Sequence, residues 1–129
     1  MIHSMKPNEF IRKIYYGDSG CKKVIIDGWS GSIQIQLDSM FVMKGDSFDY
    51  LVDEEINDGF IIFEGVNDFS WSGRFLPNDV INSISCHSDS ANERGEYSFT
   101  VSISHVDSEA HSHQVVLLIS ATNVSLKRD

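Results

Sequence analysis

Apolar and polar residues alternate with a period of two in the last third of the chain, and this pattern limits the fold more than any other feature. Tyr97, Phe99, Val101 and Ile103 are each followed by a serine or a threonine. A second apolar run, at 115–126, begins after a polar loop. Such alternation is typical of strands with one buried face, so the two segments predict a long terminal β-hairpin.

Further apolar segments extend the β pattern towards the amino terminus. Residues 33–37 alternate strictly, with Ile33, Ile35 and Leu37 on one face. Strands are also predicted at 22–27, 59–66 and 80–86, where the apolar stretches are short and bounded by turn residues. In the last of these, Ile81 and Ile84 depart from strict alternation.

One segment has helical spacing, near the amino terminus. Its apolar residues, at positions 10, 11, 14 and 15, fall on one face of a helix of 3.6 residues per turn. Asn8 is predicted to cap the start of this helix, and Gly17 is predicted to end it. Pro77 is compatible with a further short turn of helix at 77–81.

The fold class follows from these elements. A parallel sheet needs crossover helices, and the sequence has no segments for them, so a parallel α/β fold is excluded. We expect an α+β, β-rich fold in which an antiparallel, meander-like sheet packs against one short N-terminal helix. The length of 129 residues fits a single domain spanning residues 1–129.

The ends of the chain and its two cysteines indicate a soluble cytoplasmic protein. The amino terminus has no signal-peptide pattern, and no apolar run approaches the ~20 residues of a membrane span. Cys21 and Cys86 belong to no CxxC or CxxH motif, so we expect two reduced thiols and no zinc site.

The charge of the chain is strongly negative and unevenly distributed. Nineteen Asp and Glu against ten Lys and Arg give a formal net charge of −9, which disfavours nucleic acid and anionic membranes as direct partners. Between Gly45 and Gly73 there is no Lys or Arg. The acids of this segment are Asp46, Asp49, Asp53, Glu54, Glu55, Asp58, Glu64 and Asp68.

This acidic segment has two interpretations. The first is a solvated surface loop that aids solubility, which the segment taken alone favours, and the second is a face complementary to a basic protein. We predict that the acids at 53–58 lie in a loop just before a strand. Under the second interpretation Trp71 is a candidate aromatic anchor. The candidate partner-binding residues are Asp46, Asp49, Asp53, Glu54, Glu55, Asp58, Asp68 and Trp71.

Catalytic chemistry has weaker support in the sequence. His105, His111 and His113 could meet across the terminal hairpin and form a metal site, but an HxH pattern alone is a weak motif and is more often a polar turn. No glycine-rich segment matches a phosphate-binding loop or a dinucleotide fingerprint. We therefore expect no catalytic residue, no cofactor and no resident metal, and hence not an enzyme.

Several blocks of the sequence resemble a known family when they are taken in order. The blocks lie at 10–18, 21–29, 58–66 and 76–82, and include Tyr15-Tyr16-Gly17-Asp18 and Leu76-Pro77-Asn78-Asp79. They resemble a family of small uncharacterised bacterial proteins. That family is similar to immunity proteins of polymorphic toxin systems, including those of contact-dependent growth inhibition. The resemblance covers residues 8–126 and brings no catalytic motif.

The resemblance and the acidic segment together favour a non-catalytic binding protein. We expect a cytoplasmic immunity protein that binds and neutralises a cognate toxin, a basic nuclease being one such toxin, since a nuclease must be basic to hold nucleic acid. The alternative is a small structural or regulatory protein without a toxin partner, forming a homodimer through an exposed sheet edge.

Overall fold

The computed structural model of the protein describes residues 5–73 and 80–128. These residues form one α-helix, α1 (Pro7–Lys13), and eleven β-strands. The strands are β1 (Ile14–Tyr15), β2 (Cys21–Asp27), β3 (Ser32–Leu37), β4 (Ser39–Val42), β5 (Glu54–Asn57), β6 (Phe60–Glu64), β7 (Asp68–Ser72), β8 (Val80–Cys86), β9 (Tyr97–Val106), β10 (Ser112–Ala121) and β11 (Asn123–Lys127).

The strands of this part of the chain belong to three antiparallel sheets. The small sheet has the order β1-β4-β5, the β3 sheet has the order β11-β6-β3-β2, and the β9 sheet has the order β7-β10-β9-β8. Consecutive strands β8, β9 and β10 form a meander within the β9 sheet. The β-rich α+β class predicted from the sequence is confirmed, with its strands distributed over three sheets.

The core lies between the β3 sheet and the β9 sheet. Alternate residues of β3 and β6 point inwards from one sheet, and alternate residues of β9 and β10 point inwards from the other. Phe63 and Phe99 meet across the two sheets, with ring centroids 5.0 Å apart and ring planes at 63°. Burying a phenylalanine side chain contributes about 1.5–3 kcal/mol, so this aromatic pair is a main link between the sheets.

The terminal hairpin is confirmed, but its second arm is shorter than predicted. Strands β9 and β10 pair over ten residues each. The predicted strand at 115–126 is wrong as one element, because β10 ends at Ala121 and β11 pairs with β6 in the opposite sheet. Thr122 forms the corner, where its backbone N–H donates to the carbonyl of Glu64 at 3.0 Å. Because the chain leaves the β9 sheet at this corner, Val124 of β11 is also buried against the core.

The N-terminal helix is confirmed in place and corrected at both ends. Lys6, not Asn8, is the N-cap, because Pro7 occupies the first turn and leaves no N–H there to be capped. The helix ends at Lys13, before the predicted stop at Gly17, because β1 pairs with β4 instead of extending the helix. Asn8 lies inside the helix and donates to Asp89 at 2.8 Å. In the described part of the chain, no helix has the length and apolarity needed to cross a membrane.

The irregular spacing of Ile81 and Ile84 has a structural cause. The register of β8 against β9 shifts between Ile81 and Ser83, which is a β-bulge. The extra residue returns both isoleucines to the core side, where both are buried. The helical turn predicted at 77–81 falls mainly on residues outside the described ones, and Val80 and Ile81 begin β8.

The predicted loop at 53–58 is wrong in part, because Glu54 and Glu55 belong to β5. They pair with Val42 and Phe41 of β4. Ile56 is the one buried apolar residue of β5, so the strand gave almost no alternation signal in the sequence. Asp58 follows the strand in a turn with a φ of 59°.

Candidate partner-binding face

The small sheet places two aromatic residues and one acid in a row. Tyr15 is opposite Phe41, and Phe41 is opposite Glu55, so the three side chains share one face of the sheet. On the other face Met40 is opposite Ile56, and both are buried. The small sheet therefore joins the core through one face and carries Tyr15, Phe41 and Glu55 on its outer face.

A loop between β4 and β5 folds onto this outer face through its own aromatic residues. The ring of Phe48 stacks on Tyr15, with centroids 4.1 Å apart and an interplanar angle of 6°. Its centroid is 4.7 Å from that of Phe41, with the rings edge to face, and Tyr50 lies 6.2 Å from Phe41. Tyr15, Phe41, Phe48 and Tyr50 form the aromatic cluster. Such ring pairs add about 0.5–1.5 kcal/mol each beyond the area that they bury.

The carboxylate of Asp53 holds the loop between β4 and β5 together by hydrogen bonds to its backbone. Its Oδ1 accepts the backbone N–H of Lys44 at 3.0 Å and its Oδ2 accepts that of Asp49 at 2.7 Å. Both hydrogen bonds lower the pKa of Asp53 below its ordinary value, and the bond from the N–H of Asp49 has the larger effect. Asp53 was predicted as a partner-binding acid, but its side chain is buried and binds the backbone of its own loop.

The closed loop presents three consecutive apolar residues to solvent. Tyr50, Leu51 and Val52 are 74%, 89% and 52% exposed. The carboxylate of Asp49 accepts the N–H of Leu51 at 3.0 Å, and the carbonyl of Asp49 accepts that of Val52 at 3.2 Å. Residues 50–52, called the apolar tip below, are therefore held in a turn by the backbone and carboxylate of Asp49.

Two of the predicted acids are paired with bases from distant parts of the chain. Asp58 accepts a hydrogen bond from Lys22 Nζ at 2.6 Å, and Glu54 lies 2.7 Å from the guanidinium of Arg128. The segment 45–73 contains no base of its own, but the fold brings two to it. Exposed ion pairs of this kind contribute little stability, about 0–1 kcal/mol, yet they remove negative charge from the surface.

Three of the predicted acids are exposed and lie in two places. Asp49 and Glu55 adjoin the aromatic cluster, whereas Asp46 lines a cleft beside α1 together with Arg12 and Lys13. Asp46, Asp49 and Glu55 are exposed, and no Lys, Arg or His of residues 5–73 and 80–128 forms an ion pair with them. Glu55 accepts a hydrogen bond from Ser39 Oγ at 2.8 Å. Lys13 and Lys44 lie near Asp53 and favour its charged form, so the face contains bases as well, with acids in excess.

Asp68 and Trp71 lie in a different sheet from the other predicted site residues. Both belong to β7, an edge strand of the β9 sheet. Trp71 is opposite Leu117 of β10, and its indole N–H donates to the carbonyl of Gly73 at 3.2 Å. The predicted set is thus divided between two places in the fold.

The aromatic cluster and the apolar tip were missed by the sequence reasoning. One signal was present, since Tyr50, Leu51 and Val52 are adjacent apolar residues in the stretch 46–58, where most other residues are acidic or polar. A loop whose only role is to be solvated does not require three consecutive apolar residues. The contribution of Tyr15 and Phe41 had no local signal, because it depends on the pairing of β1 with β4.

The histidines of the terminal hairpin are engaged with neighbouring acids. His113 Nε2 lies 2.7 Å from Asp107 Oδ2, and His111 Nδ1 lies 3.8 Å from Glu109. The bond to His113, followed by the backbone N–H of His111, lowers the pKa of Asp107. His105 is directly opposite His113 on β9. Among the residues that the structure describes, no three His, Cys, Asp or Glu side chains are grouped so that they could hold a metal ion.

Residues 5–129 match the family model of DUF6258, which is described as a family of unknown function. Neither the curated proteins nor the solved structures contain a match to the chain.

Proposed function

Because the chain belongs to DUF6258, a family of unknown function, we propose its role from its own surface: it is a binding protein, not an enzyme, that neutralises a cognate bacterial toxin. The observation that carries this proposal is the outer face of the small sheet. There the apolar tip stands beside two exposed acids, Asp49 and Glu55, that form no ion pair within the described residues. Exposed apolar groups with a charged rim are the usual composition of a protein–protein interface.

The charge of this face supports a basic partner. Complementary charges accelerate association and disfavour wrong partners, and a toxin that cleaves nucleic acid must be basic at its active site. A small acidic protein bound there would block access of the nucleic acid. We propose the cytoplasm as the place of action, since an immunity protein must meet its toxin inside the cell that it protects.

The resemblance to immunity proteins of polymorphic toxin systems supports the toxin as the kind of partner. It predicts that the gene directly upstream encodes the toxin. The partner-binding residues under this proposal are Asp49 and Glu55 with the apolar tip. Asp46, in a cleft beside α1, and Asp68 and Trp71, on β7, stay separate predictions.

The proposal is tested by co-expression with the product of the adjacent upstream gene. We expect the two proteins to co-purify, with an affinity that decreases as the salt concentration rises, and we expect cells that carry this chain to survive expression of that product. Cells that die although the chain is present and folded would show that it is not the immunity protein of that toxin.

A second candidate function is a homodimer formed through a sheet edge, and the edge strands favour it. In the described residues β2 and β7 each have a pairing partner on one side, and every residue of β7 is exposed. Two copies could extend a sheet by pairing these edges. Sedimentation of the purified chain at several concentrations separates the candidates, since a stable dimer without the upstream product would support this one.

A further inference from the structure

The apolar tip is exposed, and its backbone is held by hydrogen bonds of its own loop. Its backbone is fixed by Asp49, whose carbonyl accepts the N–H groups of Val52 and Asp53 at 3.2 and 2.9 Å. The carboxylate of Asp53 fixes both ends of the preceding segment, through Lys44 and Asp49. Beneath it, Phe48 stacks on Tyr15 of β1. A loop held in this way loses little conformational freedom on binding, which is the usual requirement for an anchor.

The exposure of the tip has no explanation within the described fold. Leu51 is not part of the core, and Tyr50 is joined to the other rings of the aromatic cluster through Phe41, at a centroid distance of 6.2 Å. The free energy gained by covering these side chains is about 25 cal/mol per Å² of apolar surface. Covering the tip in a complex would therefore be favourable.

From these observations, and resting on the function proposed above, we infer that residues 50–52 insert into an apolar pocket of a partner protein whose rim carries lysine and arginine. The charge around the tip selects this occupant. Asp49 adjoins the tip in the chain, and Glu55 lies beside Phe41 in the small sheet. The two bases near the loop, Lys13 and Lys44, lie close to the buried carboxylate of Asp53, and Lys13 also donates to the carbonyl of Gly45. An acidic rim on the partner would place like charges together in a closing interface, which costs affinity.

A second apolar area on the molecule serves as the internal comparison in the test. Trp29, at the tip of the β2–β3 hairpin, is fully exposed, and Ile25 and Ile26 beside it are nearly half exposed. A cleft of about 310 Å³ adjoins this hairpin, and the charged residues that line it, Asp27 and Asp68, are both acidic. The carboxylate of Asp27 is engaged in its own turn, where it accepts the backbone N–H groups of Trp29 and Ser30. Charge alone therefore does not separate this area from the tip, and the test compares the two directly.

The inference is tested without the toxin, by selecting binders to the purified chain from a phage-displayed library of random dodecapeptides. We expect the enriched peptides to combine lysine or arginine with aromatic or leucine residues. Amide shifts in NMR spectra should change around Tyr15, Tyr50 and Leu51 when a synthetic copy of an enriched peptide is added. The double variant Tyr50→Ser, Leu51→Ser should weaken binding by about 10-fold or more, as truncation of an anchor does.

Two matched variants complete the test. Leu118→Ser removes an apolar residue that is 51% exposed on the β9 sheet, and it should leave peptide affinity unchanged. Trp29→Ser should do the same. Peptides that lack basic residues, that shift the amides of Ile25, Ile26 and Trp29 instead, or that lose affinity equally in all variants would overturn the inference, as would a selection without enrichment.

The outcome is separate from that of the proposed function. If the chain protects cells from the upstream product while the Tyr50→Ser, Leu51→Ser variant protects equally well, the immunity role stands and the anchor is wrong. If peptides bind the tip as expected but the chain gives no protection, residues 50–52 are supported as a binding site and the proposed immunity function is contradicted.

Discussion

Asp53 and Glu54 are neighbours in the sequence, yet their carboxylates have different surroundings. Asp53 is buried and accepts two backbone N–H groups, whereas Glu54 is exposed and pairs with Arg128. The difference arises because the backbone of the loop at Lys44 and Asp49 encloses Asp53, whereas Glu54, the first residue of β5, lies next to Arg128 near the end of the chain. In an acidic segment, the position of each carboxylate in the fold therefore decides whether it is part of the structure or part of the surface.

The substitution Asp53→Asn should destabilise the protein at neutral pH. An asparagine has one acceptor oxygen, so one of the two N–H groups, of Lys44 or Asp49, would face an NH₂ group instead. We expect a lower urea midpoint for unfolding at pH 7. The exposed Asp46→Asn, in the same loop, is the control and should leave the midpoint nearly unchanged.

The same residue predicts a pH dependence. The pKa of Asp53 is lowered in the folded protein, so its contribution to stability is complete above the ordinary value of 3.8 and is lost as the pH falls below it. The difference in urea midpoint between the wild type and Asp53→Asn should therefore shrink from pH 7 towards pH 3. A difference that is constant over this range would assign the effect of the substitution to packing and not to the charge.

The sequence predicted where acids are concentrated, but not which of them remain unpaired. Lys22 and Arg128 are far along the chain from the acids that they neutralise, and only the pairing of the sheets brings them together. Asp46, Asp49 and Glu55 have no feature in the sequence that distinguishes them from Glu54 and Asp58. The distinction depends entirely on the tertiary structure.

Elements that bury few residues were the ones that the sequence did not predict. Strands β4, β5 and β7 have four or five residues, and β7 is exposed throughout. Alternation cannot be recognised in such strands, whereas β3 and β9, each with three inward-facing buried apolar residues, were predicted correctly. The helix was placed correctly for the same reason, since Phe10 and Ile11 are buried in the core.

The corner between β10 and β11 depends on a glycine in the opposite sheet. Gly65 has a φ of +64°, and a Cβ there would lie 2.1 Å from Thr122 Oγ1. Gly65→Ala should lower the free energy of unfolding by about 1–3 kcal/mol, because it adds strain and displaces Thr122. Gly28→Ala is the control, since a Cβ at Gly28 meets nothing within 4 Å. Equal unfolding free energies for the two variants in chemical denaturation would contradict this account of the corner.

The molecule as a whole is held by the contact between its two larger sheets. Phe99 is buried at that contact against Phe63, so Phe99→Ala should lower the free energy of unfolding by about 3–5 kcal/mol. Leu118→Ala, on the outer side of the β9 sheet, should change it by less than about 0.5 kcal/mol. A small effect of Phe99→Ala would mean that the sheets are held together elsewhere. Both values follow from urea unfolding curves.

The net charge of −9 has two possible effects on association, which can be separated by variants of equal charge. If the outer face of the small sheet is the interface, Asp49→Asn with Glu55→Gln should slow association with the upstream product several-fold at low salt, because these acids adjoin the apolar tip. Glu93→Gln with Glu109→Gln removes the same charge from two exposed turns, the one before β9 and the turn of the terminal hairpin. Stopped-flow association rates that decrease equally in both variants would indicate that the total charge acts and that this face has no special role. A decrease confined to the first variant, and abolished at high salt, is the expected result.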